Sequence, residues 1–549
     1  MTSRRIWIFA IVLLVISTVP YWVAAAGAGD GWRFSGFLIG VEDGHSYLGK
    51  MRLGARGQWD FSLFYTTEPH EAASLLYLPY IAAGFVIGGF IPVDDPAYPT
   101  AAIIAFHVLR IGCAALLLVV LYRFIAVFIR SERGRLVALI LATLGGGFGW
   151  LLALVDRVPP EFYIPEGFGF LILFGLPHVA LARAALLGGL LAVTAIADGQ
   201  QRGRAAALSG ALAALCWIVV GLAVPFYLAI LYCILGAWGL TVWLRRRAFP
   251  QRLFIAAAAA SAATLPLFLY FALTFTNNPA FALWSAQNQL PSPPPLDYAA
   301  AYGLLAVLAA GGAGWAWRRG RLRTRFCLLI GWPAIVPLLV YLPINVQRRM
   351  AEAVIVPLAI LAAAGLERWM SRRPSPSRRR LALAVVGAAC ISAGLLWLGA
   401  LLTATVRVPP VFRPPGEADA FQWLNEHGAV GAAVLTSMTT GNALPVYADL
   451  RPYVGHGPET LEAVRKDREM VALFTGQLAE EGRAALYGSP CLIAAPALCA
   501  DPPRYLIYGN PERLLARAID HQADWRGEWT LVYETEQYMI FERAPALGR

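Results

Sequence analysis

Charge is what this sequence has least of: only 14% of its residues are Asp, Glu, Lys or Arg, where a soluble chain carries about a quarter. With 58% apolar residues and a mean hydropathy of +0.58, that shortage excludes a water-soluble globule and makes a bilayer the main solvent. Acids are the scarcer sign, 34 against 45 basic residues. A basic excess can signal nucleic acid, but these arginines gather at the ends of apolar segments, at Arg4-Arg5, Arg245 to Arg247, Arg318 to Arg325 and Arg372 to Arg380. That is the positive-inside pattern, which orients a membrane protein, and nucleic acid is not an expected partner. Cysteine is also scarce, and Cys113, Cys216, Cys233, Cys327 and Cys390 lie in apolar stretches without ligand spacing, as packing residues. A P-loop is absent, and Gly145-Gly146-Gly147 falls inside an apolar run where glycine serves helix packing, so bound cytosolic nucleotide is not expected.

What is present is a series of apolar runs of about 20 residues, each able to cross about 30 Å of hydrocarbon as a helix. They predict spans near 6–26, 100–129, 136–155, 168–197, 205–221, 223–244, 252–275, 299–317, 326–343, 351–370 and 381–407. The first is read as a retained span, since it is long and runs into Tyr21-Trp22. Eleven crossings from a cytoplasmic N-terminus place the tail outside, in an integral, multi-pass plasma-membrane protein. Segment 72–92 is apolar enough to span but upsets this count, so either it is re-entrant near Pro79 or a later boundary differs. The expected organisation is an all-α polytopic membrane bundle, 1–407, with a C-terminal soluble α/β domain, 408–549. Within the tail, Glu417 to His427 reads as a helix, and Ala432 to Ser437, Arg504 to Tyr508, Thr530 to Tyr533 and Tyr538 to Glu542 read as strands. The loops 27–71 and 277–297 share the tail's side of the membrane. Cys491 and Cys499, in a Pro-rich loop on that oxidising side, are expected to form a local disulfide.

Two constellations carry chemistry. The first loop reads Gly40-Val41-Glu42-Asp43-Gly44-His45-Ser46-Tyr47-Leu48-Gly49-Lys50-Met51, and Glu68-Pro69-His70 follows on the same face. Carboxylates beside a membrane suit either a divalent cation, with Asp43 and Glu68 as ligands, or a hydroxyl that needs a general base. The plainer alternative is a helix capped by Asp43 and running through Lys50. The second constellation, Asn345-Val346-Gln347-Arg348-Arg349-Met350 followed by Glu352, puts paired arginines on the side that the positive-inside rule disfavours. Their fixed donors suit a lipid phosphate or pyrophosphate, and the alternative is a salt bridge to Glu352 or snorkelling to headgroups. Arg110, Arg183 and His178 lie at membrane depth, where polarity is costly, though His178 also suits a packed histidine bonded to a carbonyl.

This layout resembles the C-type membrane glycosyltransferases (the GT-C group), among them protein O-mannosyltransferases, aminoarabinose transferases and Rgt-like bacterial enzymes. The resemblance rests on Glu42-Asp43-Gly44-His45-Ser46-Tyr47, Glu68-Pro69-His70 and Gln347-Arg348-Arg349. In the tail, Gly441-Asn442-Ala443-Leu444-Pro445-Val446-Tyr447 and Tyr453-Val454-Gly455-His456 are similar to the appended domain of bacterial members. It implies a polyprenyl-phosphate sugar donor, inverting transfer outside the cytoplasm, and a first-loop acid as base or metal ligand. The chain departs from the mannosyltransferases in carrying Glu-Asp for Asp-Glu, and it lacks the Trp-Trp-Asp signature of oligosaccharyltransferases, which disfavours asparagine as acceptor. The roles expected are Asp43, with Glu42, as base, and Arg348, Arg349 and Gln347 on the donor phosphate. His45, Lys50, Glu68, His70 and His178 stand behind them. A transporter or lipid-translocating protein is the alternative from another class, although no internal repeat is visible.

Overall fold

The computed structural model describes residues 4–29, 31–372, 374–517 and 529–543. Among these, nine helices are long and apolar enough to cross a membrane, from Arg4–Gly27 to Gln347–Arg372. A tenth crossing is available to the pair Pro376–Ala389 and Ile391–Thr403, which bends by 47°. The chain is an integral, multi-pass membrane protein.

Three expected segments come out shorter than their hydropathy suggests. Segment 72–92 forms only the helix Leu78–Gly88, whose 11 residues rise about 16 Å and cannot span. The stretch 326–343 gives the 15-residue helix Arg325–Leu339, carrying Pro333 and Pro337, and 168–197 breaks at Leu176-Pro177 into Phe170–Gly175 and Pro177–Ala197. Proline supplies no N–H and keeps its predecessor out of the helical region, so an apolar run containing it need not be one helix.

The chain divides into two compact units. The first comprises Met1–Pro20, Val108–Ala272 and Gln289–Leu401 and holds most of the long helices. Glycine lets two of them touch: a Cβ on Gly312 would come within 2.0 Å of the Leu361 carbonyl oxygen, and one on Gly365 within 2.6 Å of that of Leu308.

The second unit comprises Tyr21–His107, Leu273–Asn288 and Leu402–Arg549. A short antiparallel ladder, β1 (Arg33–Phe34) with β2 (Phe412–Arg413), ties the first loop to the start of the tail. The tail's sheet uses β3 (Ala433–Leu435), β4 (Arg451–Pro452), β5 (Pro503–Tyr508), β6 (Trp529–Glu534) and β7 (Met539–Arg543), in the order β4-β3-β5-β7-β6. Strand β3 runs parallel to β4 and β5, while β7 is antiparallel to β5 and β6. Side chains alternate across it as a strand period of two requires. Tyr505, Ile507 and Ile540 join Phe421, Leu424 and Leu444 on one face, while Leu506 and Phe541 join Met470, Leu473 and Phe474 on the other. Helices therefore cover both faces, and the tail is a small α/β layer structure. Cys491 and Cys499 are disulfide-bonded in it.

Candidate functional site

The acid-bearing loop forms the helix Val41–Ala55. Its cap is Gly40, in the left-handed conformation at φ 62° that glycine adopts without penalty. Asp43 is therefore not the cap; it stands with Glu42 in the first turn, where the helix dipole favours negative charge. A Cβ on Gly44 would fall 2.3 Å from the Phe37 ring, so that face is fully packed, whereas the Asp43 side chain is 60% exposed.

Helix Met438–Tyr447 of the tail lies against this helix. Asn442 reads it through both ends of its amide, accepting from His45 Nδ1 at 2.7 Å and donating to the Glu42 carbonyl at 3.2 Å. The Asn442 carbonyl takes the Tyr65 hydroxyl at 2.8 Å. A Cβ on Gly441 would lie 2.1 Å from the Val454 carbonyl oxygen, an approach that sets the 453–456 segment beside the helix. There His456 Nε2 meets Asp43 Oδ1 at 3.3 Å, with its ring stacked on Tyr65.

Lys50 and Glu68 of the loop are closed on tail partners. Lys50, fully buried, donates to Glu459 Oε1 at 2.7 Å, and Glu459 also accepts from Ser46 at 2.9 Å. Glu68 and Lys466 form a buried pair, with Nζ 2.7 and 2.8 Å from the two carboxylate oxygens. Burial lowers the pKa of both lysines, against the pull of Glu459 on Lys50 and of Glu68 on Lys466. His70 braces its own loop, accepting from Leu63 N–H at Nε2 (2.9 Å) and donating from Nδ1 to the Glu68 carbonyl (2.8 Å). Glu68 is held by Lys466, and among the described residues no three His, Cys, Asp or Glu side chains converge.

His45 carries a pH signature. Burial, with the nearby charges of Arg413 and His456, lowers its pKa to about 3 against the hydrogen bond to Asn442. The unfolded chain binds this proton near pH 6.5, the folded chain only near 3, so below 6.5 the unfolded state holds more protons and stability falls with pH. His456 acts in the opposite sense, since its raised pKa contributes stability present below 6.5 and lost as pH rises through the folded value. We expect His45→Asn to remove a few kcal/mol of the wild type's acid destabilisation between pH 6.5 and 3, at about 1.4 kcal/mol for each tenfold change in proton affinity. Melting curves of the two purified proteins across that window check it, and parallel curves would reject it.

In the first unit, Gln347 is spent on backbone, accepting from Ser292 N–H at 3.1 Å and donating to the Leu342 carbonyl at 2.9 Å. Arg349 Nε lies 3.3 Å from Glu166. The Arg348 guanidinium lies over the Tyr163 ring at 5.2 Å and, among the described residues, makes no ion pair or side-chain hydrogen bond. Glu352 is not the partner of either arginine. It takes Arg183 at 2.7 and 3.0 Å, both fully buried, and Arg183 also donates to the carbonyls of Pro165, Glu166 and Phe168. Arg110 donates to Thr18 and the Leu173 carbonyl, and His178 is half-buried in the first turn of Pro177–Ala197.

Sequence reasoning missed Glu166, Tyr163, Glu459, Lys466 and the contact of His456. Only His456 left a signal, standing after a glycine in the tail segment Tyr453-Val454-Gly455-His456.

No family model matches the chain, and no curated protein is similar to it in sequence. Among solved structures it is similar to an oligosaccharyltransferase of Archaeoglobus fulgidus tethered with an acceptor peptide (TM-score 0.51, 12% identity, 97% of this chain and 74% of that one). It is also similar to an arabinofuranosyltransferase from Mycobacteria (TM-score 0.54, 15% identity, 99% of this chain and 42% of that one). ArnT from Cupriavidus metallidurans also aligns, at TM-score 0.48 and 14% identity over 97% of both chains. The likeness to the first two runs through almost the whole chain at identities that speak for architecture alone, and the architecture is that of the C-type membrane glycosyltransferases.

Proposed function

We propose that this chain is a membrane glycosyltransferase that moves a hexosyl or pentosyl group from a polyprenyl-phosphate donor to an acceptor hydroxyl on the non-cytoplasmic face. The observation that carries the reading is Asp43, an exposed carboxylate that the buried His456 meets at 3.3 Å; on the same helix His45, Ser46, Lys50 and Arg52 are bonded within the protein, and Glu42 is the other exposed acid. The fold, shared with glycosyltransferases, supports it. Asp43 takes the proton of the acceptor hydroxyl as that oxygen bonds to the anomeric carbon. The bond from this carbon to the phosphate oxygen breaks, and its electron pair leaves with the lipid phosphate. A hydroxyl is a weak nucleophile at neutral pH, and phosphate leaves readily once its charge is met, so one base and one cation suffice. Arg348 is the cation assigned to that charge, with Arg349 beside it. The arginine-rich loops support a cytoplasmic N-terminus, and with the short helix Arg325–Leu339 as an eleventh crossing beside the other ten the tail lies on the opposite side.

The test is transfer by purified protein in liposomes, offered a panel of polyprenyl-phosphate sugars and acceptors. Lipid movement without transfer would favour the translocating alternative. Arg348→Ala should raise the donor KM about tenfold or more, the worth of a charge-assisted hydrogen bond. Lys should rescue poorly, lacking the planar fork and its stack on Tyr163. An unchanged KM in Arg348→Ala would remove the phosphate assignment.

A further inference from the structure

We propose that His456, supplied by the tail, is a positioning residue that holds and orients Asp43 through its Nε2–H. The catalytic consequence rests on the transferase reading; the pair itself does not.

The tautomer follows from the surroundings. The Glu459 backbone N–H donates to His456 Nδ1 at 3.2 Å, so Nδ1 presents a lone pair and the neutral ring carries its proton on Nε2. That nitrogen faces Asp43 Oδ1 at 3.3 Å. One face of the ring and the turn that carries it are held as well. Its plane stacks on Tyr65 at 5.3 Å, and Thr460 Oγ1 accepts from the N–H groups of Gly455 and His456 at 3.2 and 3.1 Å. Gln287 donates to the carbonyls of Pro458 and Thr460, pinning the same turn. His456 is 3% exposed and Asp43 60%, so a fixed, buried donor grips a carboxylate that is open to an acceptor.

The charged and titratable groups around the ring are Asp43, His45 and Lys50 on the first-loop helix, Tyr65 on the loop and Glu459 on the tail, with Arg413 on β2 acting on His45. Burial disfavours the imidazolium, while the bond to Asp43 and the charges of Glu459 and Asp43 favour it, and the net direction is upward. A donor to the carboxylate stabilises its ionised form, the form a general base needs.

Two measurements decide the proposal. In transfer assays, His456→Ala should lower kcat/KM about tenfold and move its acid limb up by about one pH unit. His456→Gln, whose amide N–H can still reach Asp43, should recover most of both. An acid limb unmoved in the Ala variant, or a Gln variant no better than Ala, would overturn it. Independently of transfer, 15N-histidine NMR of the full-length protein should show His456 as the Nε2–H tautomer. Its pKa should fall by about one unit in Asp43→Asn, and a pKa unmoved by that change would overturn the pair. If the wild type transfers nothing, the transferase reading fails and the NMR arm still decides the contact.

Discussion

Asp43→Asn should lower kcat about a hundredfold or more, a barrier increase of about 2.7 kcal/mol, while the donor KM stays close to wild type. The substitution keeps the shape of the side chain, and the amide oxygen can still accept from His456 Nε2, so the helix and its packing survive. What disappears is the group that takes the acceptor's proton. A capping role would blur this test, because Asn caps helices as well as Asp does, but Gly40 occupies the cap and Asp43 lies inside the first turn. Glu42, the neighbouring exposed acid, points about 100° further round the helix and Glu42→Gln should cost much less. Single-turnover rates with melting temperatures of each variant are the measurement. An Asp43→Asn protein that is folded and within about twofold of wild type would end the base assignment.

Arg183→Met should destabilise the first unit by about 3 to 5 kcal/mol. The change leaves Glu352, which is 0% exposed, without its cation and removes the donors to the carbonyls of Pro165, Glu166 and Phe168. At membrane depth neither loss is repaired by water. Adding Glu352→Leu removes the stranded acid, so the double variant should be more stable than the single one, the pattern that separates a paired charge from simple loss of packing. Unfolding of the three proteins in detergent provides the cycle. Equal stability of Arg183→Met and wild type would show that the pair does no such structural service.

The two parts of the molecule were unequally legible in its sequence. Spans such as Arg4–Gly27 and Tyr98–Phe128 follow from local composition, since a run of apolar residues has few other places to go. The helix Leu78–Gly88 did not, because prolines and glycines decide its length after hydropathy has nominated it. Strand alternation in β5 and β7 was visible for the same local reason. The partners of the first loop were not. Lys50 meets Glu459 across 409 residues, Glu68 meets Lys466 across 398, and His45 meets Asn442 across 397. A lone sequence shows each as a polar residue that could equally face water, since it counts charges without showing what covers them. Asp43 was singled out as an acid beside a span; that it, and not the exposed Glu42 next to it, meets His456 follows only from the folded tail. The arginines 348 and 349 were legible as breaches of a topology rule, but which of them lacks an ion pair among the described residues depended on Glu166 and on Glu352 turning to Arg183.

The unit that holds Asp43 is stitched from chain segments made far apart in time. Ribosomes add about 5 to 20 residues per second, so roughly 20 to 80 s separate the emergence of Lys50 from that of Glu459. Throughout that interval the Val41–Ala55 helix stands without Glu459 for Lys50 and without the Met438–Tyr447 helix that packs against it. Assembly of this unit thus waits on the tail, and a chain that stalls short of residue 456 displays its acid without the histidine that aims it.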